Sequence, residues 1–342
     1  MLAEKDAPRK ELASPKAEKE NEQAKSVRIM PALTQLKTDP KAQTDEAVAL
    51  GHALFFDKRL SVDGSVACYS CHQNENGNGG ATPTAIGAKG KKLSRHSPVI
   101  WNVAYLPRLY WDGRASSLEA QAKGAWGGGN MGVGKENLEK KAEEIAQIPG
   151  YKKLFAEAYP GKKPSADLIA QALSAYERTL ICDNTAYDRY VKGDKEALNQ
   201  QELAGYDVFM GKGMCASCHT PPLFTSAGQG EGSYFNVGIG TKDIAEENWD
   251  IGRMKISQKD DDKAAFKTPS LRNVSKSAPY FHDGSVETLE EAVHLMASGG
   301  IANSHLSPLV KDRNLSSEEK TQLVAFLKSL YCNQKLNAPQ LP

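Results

Sequence analysis

At 342 residues the chain is longer than one hydrophobic core usually organises, and it has room for two ordinary domains. Its 43 basic and 42 acidic side chains leave a net charge of +1, which excludes the one-signed fields that draw a protein to nucleic acid or an anionic membrane surface. No apolar run reaches the roughly 18–20 residues of a spanning helix, and the N-terminus has no apolar signal-peptide region.

Residues 1–26 are dominated by Lys, Glu, Ala and Pro, too polar to repay the entropy of ordering, and are expected to be a mobile charged tail. A helix is predicted over Thr44–Phe56, where Ala47, Leu50, Leu54 and Phe55 recur near 3.6 spacing and Asp45-Glu46 suit the positive end of the helix dipole. It leads into Cys68-Tyr69-Ser70-Cys71-His72. Gln73–Ser94 is rich in Gly, Asn and Thr and reads as an irregular loop, with a solvated basic cluster at Lys89, Lys91, Lys92 and Arg95. Gly127–Gly132 is a second backbone-permissive loop. Helices resume at Asn137–Ala146 and Ser165–Ile181. Gly205-Tyr206-Asp207-Val208-Phe209 then echoes Gly51-His52-Ala53-Leu54-Phe55, ahead of Cys215-Ala216-Ser217-Cys218-His219. Ser316 and Glu319 form a capping-box pattern that opens a last helix through Leu323, Phe326, Leu327 and Leu330, as Ser165 opens the helix of Leu168, Leu173, Tyr176 and Leu180. No strand signal is strong.

The two C-x-x-C-H runs carry the chemistry. The thiols add to the vinyl groups of a haem and the adjacent histidine ligates its iron, so two copies imply two c-type haems. The bland alternative, two structural zinc half-sites, needs a second C-x-x-C near each run. The expected fold is all-α, two tandem cytochrome c-like domains spanning 27–182 and 183–342, each around one covalently bound haem. Covalent haem attachment points to the periplasm, and Met1 then reads as the start of a processed or recombinant mature chain. Cys182 and Cys332 are left over at the ends of the two closing helices, and an oxidising compartment predicts a disulfide between them.

A longer internal repeat shows where the halves diverge. Ser97-Pro98-Val99-Ile100-Trp101-Asn102-Val103 aligns with Thr268-Pro269-Ser270-Leu271-Arg272-Asn273-Val274, and without a gap Trp111-Asp112-Gly113 falls on His282-Asp283-Gly284. In the same register Met296 falls on Ala125. A thioether can complete a haem iron and raise its potential, whereas alanine cannot ligate. Met296 reads either as ordinary helix core or as the ligand that closes the second iron while the first stays open.

These residues resemble the bacterial di-haem cytochrome c peroxidase family, which includes MauG-type protein-modifying enzymes. The resemblance runs from about Asp45 to Leu330 through Leu54–Ser61, the two haem motifs, Pro83-Thr84-Ala85-Ile86-Gly87, Trp111–Ala115, Gln121–Gly124 and Leu271–His282. It implies a peroxide-reacting haem on Cys68, Cys71 and His72. It also implies an electron-entry haem on Cys215, Cys218, His219 and Met296, with Trp111 between the two and Gln121 beside bound peroxide. It further implies a small cytochrome c or cupredoxin as donor, hydrogen peroxide as substrate, and a homodimer as a common assembly.

Three departures stand out. The displaceable sixth-ligand histidine of the family is Ala88 here. The distal glutamate position falls on Asn130 or Met131, neither of which shuttles a proton; His96 and Glu136 are substitutes, and Met131 or His96 could instead ligate the first iron. The asparagine that helps bind an inter-domain calcium is His96, with Ser277 and Pro279 at the backbone-carbonyl positions. The leading reading is a periplasmic di-haem peroxidase; the alternatives are a MauG-like oxidase acting on Trp or Tyr of a partner protein, and a non-enzymatic di-haem carrier or sensor.

Overall fold

A computed structural model describes residues 28, 30–33, 44–227 and 234–342; the expected mobile tail, 1–26, lies outside them. Pro31–Pro342 form one compact unit. The first helix, α1 (Asp45–Phe56), starts where Thr44 Oγ1 accepts the Ala47 N–H at 3.2 Å, and it buries Leu50, Leu54 and Phe55. α2 (Leu118–Gly127), α3 (Leu138–Ala146), α4 (Pro149–Ala158) and α5 (Ala166–Arg178) follow. Sequence patterning misses α4 because Pro149-Gly150 reads as a break, yet proline at the first helical position suits a helix start. The predicted Ser165–Ile181 helix stops at Arg178, because Leu180 O turns to accept the Asn102 N–H at 2.8 Å.

After the short α6 (Ala186–Val191), α7 (Gln200–Met210) leads into the second haem motif, with the one-turn α8 (Met254–Ser257) beyond it. α9 (Leu289–Ala297) and α10 (Ser317–Ser329) complete the chain. Ser316 and Glu319 exchange hydrogen bonds at 3.1 and 2.7 Å, the reciprocal cap that their spacing predicts. β1 (Tyr234–Phe235) and β2 (Phe266–Lys267) make a two-residue antiparallel ladder, and the described chain is otherwise helices, turns and isolated bridges.

The repeat seen in the sequence is a repeat in space. α1 crosses α5 at Gly51, where a Cβ would collide with Ala172 O; α7 crosses α10 at Gly205, where it would collide with Gln322 O. Phe55 meets Tyr176 with centroids 5.2 Å apart, and Phe209 meets Phe326 at 5.3 Å. Asn102 and Asn273 both take a left-handed backbone (φ 63° and 67°), and each side-chain oxygen accepts the N–H of a disulfide cysteine, Cys182 at 2.9 Å and Cys332 at 3.1 Å. Those cysteines are bonded to each other across a separation of 150 residues, as expected. Beside them Arg272, fully buried, forms a bidentate pair with Asp188 at 2.7 and 2.8 Å.

Candidate haem sites and the path between them

Both C-x-x-C-H runs form a single tight turn. His72 N–H donates to Tyr69 O at 3.1 Å and His219 N–H to Cys215 O at 2.8 Å. Cys68, Cys71, Cys215 and Cys218 are free thiols, unlike Cys182 and Cys332. His72 Nδ1 lies 3.3 Å from Asn78 O, with Pro98 O as a second acceptor; His219 Nδ1 lies 3.2 Å from Phe224 O and 3.1 Å from Pro269 O. Pro98 and Pro269 are partners in the repeat. With Nδ1–H given to carbonyls, each imidazole keeps Nε2 free for a metal, the second-shell arrangement that orients histidine ligands. Burial lowers both histidines to about 4, so each ring is neutral. Burial likewise pushes the Cys68 thiol up and the Cys215 thiol to about 12. Among the described residues no group of three or more His, Cys, Asp or Glu side chains converges as metal ligands. Free thiol pairs and Nδ1-anchored neutral imidazoles fit two c-type haems.

Asn78, which no local pattern singles out, holds the first turn together. It is 2% exposed; its Nδ2 donates to His72 O and Asn74 Oδ1, and its Oδ1 accepts from Trp101 Nε1 at 2.9 Å.

Trp111 ties the two halves. Its indole N–H donates to His96 O at 2.8 Å, its own carbonyl accepts the Lys267 N–H at 2.7 Å, and its ring meets His282 edge-on at 6.4 Å. His96 N–H in turn donates to His282 O at 2.7 Å. Arg95, expected in a solvated basic cluster, is instead mostly buried here: its guanidinium binds Asp250 twice and Asp112 once, each at 2.7 Å. Two carboxylates offset the cost of burying that cation, which composition alone does not show. Lys267, on the repeat partner of His96, is 9% exposed and has no ion-pair partner among the described residues; burial lowers its ammonium to about 8.

The remaining candidates separate by environment. Gln121 is half-buried on α2, its carbonyl accepting from Tyr110 OH at 2.9 Å. Met131 is 4% exposed within the first-half core. Asn130 is half-buried, and its carbonyl accepts the Ala88 N–H at 2.9 Å, so the glycine loop lies against Ala88. Glu136 is exposed and hydrogen-bonded to Asn137. His96 is buried with Nδ1 2.9 Å from Thr82 O. Met296 is half-buried on α9, outside the fully buried core that includes its neighbours Val293 and Ala297. Ser277 is buried and its hydroxyl donates to Val274 O; Pro279 follows it by two residues.

Residues 45–196 match the family model described as di-haem cytochrome c peroxidase. The chain is 36% identical over 312 residues to the methylamine utilization protein MauG of Methylorubrum extorquens, covering 89% of this chain and 84% of that one. It is 34% identical over 294 residues to the cytochrome c551 peroxidase of Nitrosomonas europaea, covering 86% and 82%. A crystal structure of a MauG-like protein associated with microbial copper homeostasis superposes with a TM-score of 0.79 at 29% identity, covering 87% of this chain and 93% of that one. The diheme peroxidase BthA of Burkholderia thailandensis shares the fold, with a TM-score of 0.73 at 22% identity over 90% and 94% of the two chains. With two Nδ1-anchored C-x-x-C-H turns and relatives above 30% identity along most of its length, the chain belongs to the di-haem cytochrome c peroxidase family.

Proposed function

We propose that this chain is a periplasmic di-haem peroxidase that reduces hydrogen peroxide with electrons drawn singly from a small cytochrome c or cupredoxin. The observation that carries it is the asymmetry of two otherwise matched halves: Met296 stands on α9 where the first half has Ala125 on α2, and Trp111 joins the halves. The haems, when bound, supply one-electron transfer and a metal site for peroxide. Residues 27–182 would hold the first on Cys68, Cys71 and His72; residues 183–342 would hold the second on Cys215, Cys218, His219 and Met296. The carbonyls of Asn78, Pro98, Phe224 and Pro269 hold the protons on Nδ1 and keep both proximal rings from turning. Trp111 fixes the separation of the halves through one hydrogen bond to each. Lys267, a buried cation without a counter-ion among the described residues, would meet a haem carboxylate.

On the peroxide side Ala88 and Ala125 offer no ligand, while Gln121 and Asn130 bring amides that orient a bound oxygen and cannot carry its proton. Met131 packs in the core, so the reading does not assign it to the first iron; His96 gives Nδ1 to Thr82 O, which leaves its Nε2 free. A calcium between the halves would rest on carbonyls near Ser277 and Pro279. The test is steady-state consumption of peroxide by the holoprotein with a reduced small cytochrome. Oxidation of that cytochrome in step with peroxide supports the reading. No turnover, with peroxide-driven Trp or Tyr modification in a partner protein, replaces it with the MauG-like one; two six-coordinate irons inert to peroxide replace it with a carrier.

A further inference from the structure

Glu177 lies in the last turn of α5, the helix that closes the first half, and is 9% exposed. Its Oε2 is fully buried and has no hydrogen-bond partner among the described residues. A carboxyl buried without a donor costs free energy that packing does not return, so its presence calls for something that meets it. Its charge bears on the thiol of Cys68 and on Tyr110, which places the carboxyl on the side of the core where the first haem is fixed. The duplicated half shows that the fold does not require it. With Cys182 set against Cys332, Tyr176 falls on Phe326, which plays the same packing role against α7, and Glu177 falls on Leu327, 5% exposed.

Several charged groups on the elements packed against α5 are otherwise engaged. On α2, Glu119 pairs with Arg178 at 2.8 Å and Lys123 with Asp167 at 2.7 Å. On α1, His52 stacks on Tyr176 and bonds to Asn337 O; on α3, Glu139 accepts the Ala166 N–H. Tyr105 comes from the turn that packs on α5, with its hydroxyl raised by burial. The Tyr110 hydroxyl donates to Gln121 O, and Cys68 has no proton to lose once it is a thioether. Burial is the main influence on Glu177 and raises it to about 8, against an opposing pull from Arg178.

We propose that Glu177 is the proton-holding group of the first haem: its carboxylate takes one proton from solvent when that haem accepts one electron from a reductant, and returns it when the electron leaves. The added negative charge on reduction favours the neutral carboxyl, and by linkage the proton favours the reduced state by the same factor. This rests on the di-haem reading. It does not depend on peroxide turnover.

The test is an optical redox titration of the holoprotein between about pH 6 and 9, a window that brackets a carboxyl raised this far, for wild type, Glu177→Gln and Glu177→Leu. In wild type the lower midpoint should fall with rising pH by up to a tenfold change in the ferric-to-ferrous ratio per unit, about 59 mV for one electron. In both variants that dependence should vanish, while the higher midpoint keeps its wild-type behaviour. A Glu177→Gln protein that retains the slope, or a wild-type lower midpoint indifferent to pH, overturns the proposal. Glu177→Gln preserves shape, so the comparison survives if the leucine variant does not fold. Haemochrome quantitation showing one haem per chain would overturn the di-haem reading itself, a result separate from any slope.

Discussion

In the proposed function, single side chains decide which half does what. Met296→Ala should lower the higher of the two midpoints and leave the lower one in place, because loss of thioether ligation disfavours the ferrous state. A redox titration in which the higher midpoint stays put would return Met296 to the helix core. Asn130→Glu should speed peroxide consumption by the holoprotein, since a positioned carboxyl contributes roughly 10²- to 10⁴-fold where proton transfer limits the rate. Met131→Glu should instead destabilise the chain, because residue 131 is packed among apolar side chains and a buried unpaired carboxyl has no donor there. Stopped-flow mixing with peroxide reads the first variant, and thermal unfolding the second.

Elements explain why the halves match. Each depends on one helix crossing closed by glycine, and Gly51 and Gly205 are the points where two backbones touch. Gly51→Ala or Gly205→Ala should cost about 1–3 kcal/mol from forced separation of the helices, despite alanine being the better helix former. Denaturant unfolding of either variant with unchanged stability would show that the crossings can give. The reciprocal caps at Ser316–Glu319, Asn199–Glu202 and Thr288–Glu291 belong to the same level: short polar residues begin the helices, and the tertiary contact sets the crossing.

At the scale of the whole molecule, the Cys182–Cys332 bond and the hydrogen bond from Arg272 Nη1 to Cys182 O at 3.2 Å join the two halves at one place, beside the buried Arg272–Asp188 pair of the second half. Cys182→Ser with Cys332→Ser should cost roughly 2–5 kcal/mol, as expected for a cross-link closing a long loop. Asp188 is raised by burial but held on balance below its ordinary 3.8 by hydrogen bonds from Arg272. A depressed carboxyl contributes stability that is fully present above its unfolded value, near pH 4, and is lost as pH falls through its folded one. Asp188→Asn should therefore lose about 3–5 kcal/mol at neutral pH, from the unpaired buried Arg272, and flatten the acid limb of the stability profile. A variant as acid-sensitive as wild type would assign that limb to other carboxylates.

The sequence by itself determined the two C-x-x-C-H runs, the doubling of the architecture and the leftover cysteine pair, because each is a local matter: thiols and imidazoles at fixed spacing, glycines and caps at helical period, repeated residues in register. It also exposed the asymmetry of Met296 and Ala125, which needs only an alignment of the chain with itself. Tertiary structure decided what surrounds each group. Arg95 read as one more exposed cation until Asp112 and Asp250, distant in the chain, were seen to enclose it. His96 and Glu136 were both candidates to replace a missing carboxyl until the first proved buried with Nδ1 against Thr82 O and the second exposed beside Asn137. Glu177, inside an ordinary amphipathic helix, drew no notice. Burial and partnership are sums over neighbours brought together by folding, and no local spacing encodes whether a carboxyl finds a donor.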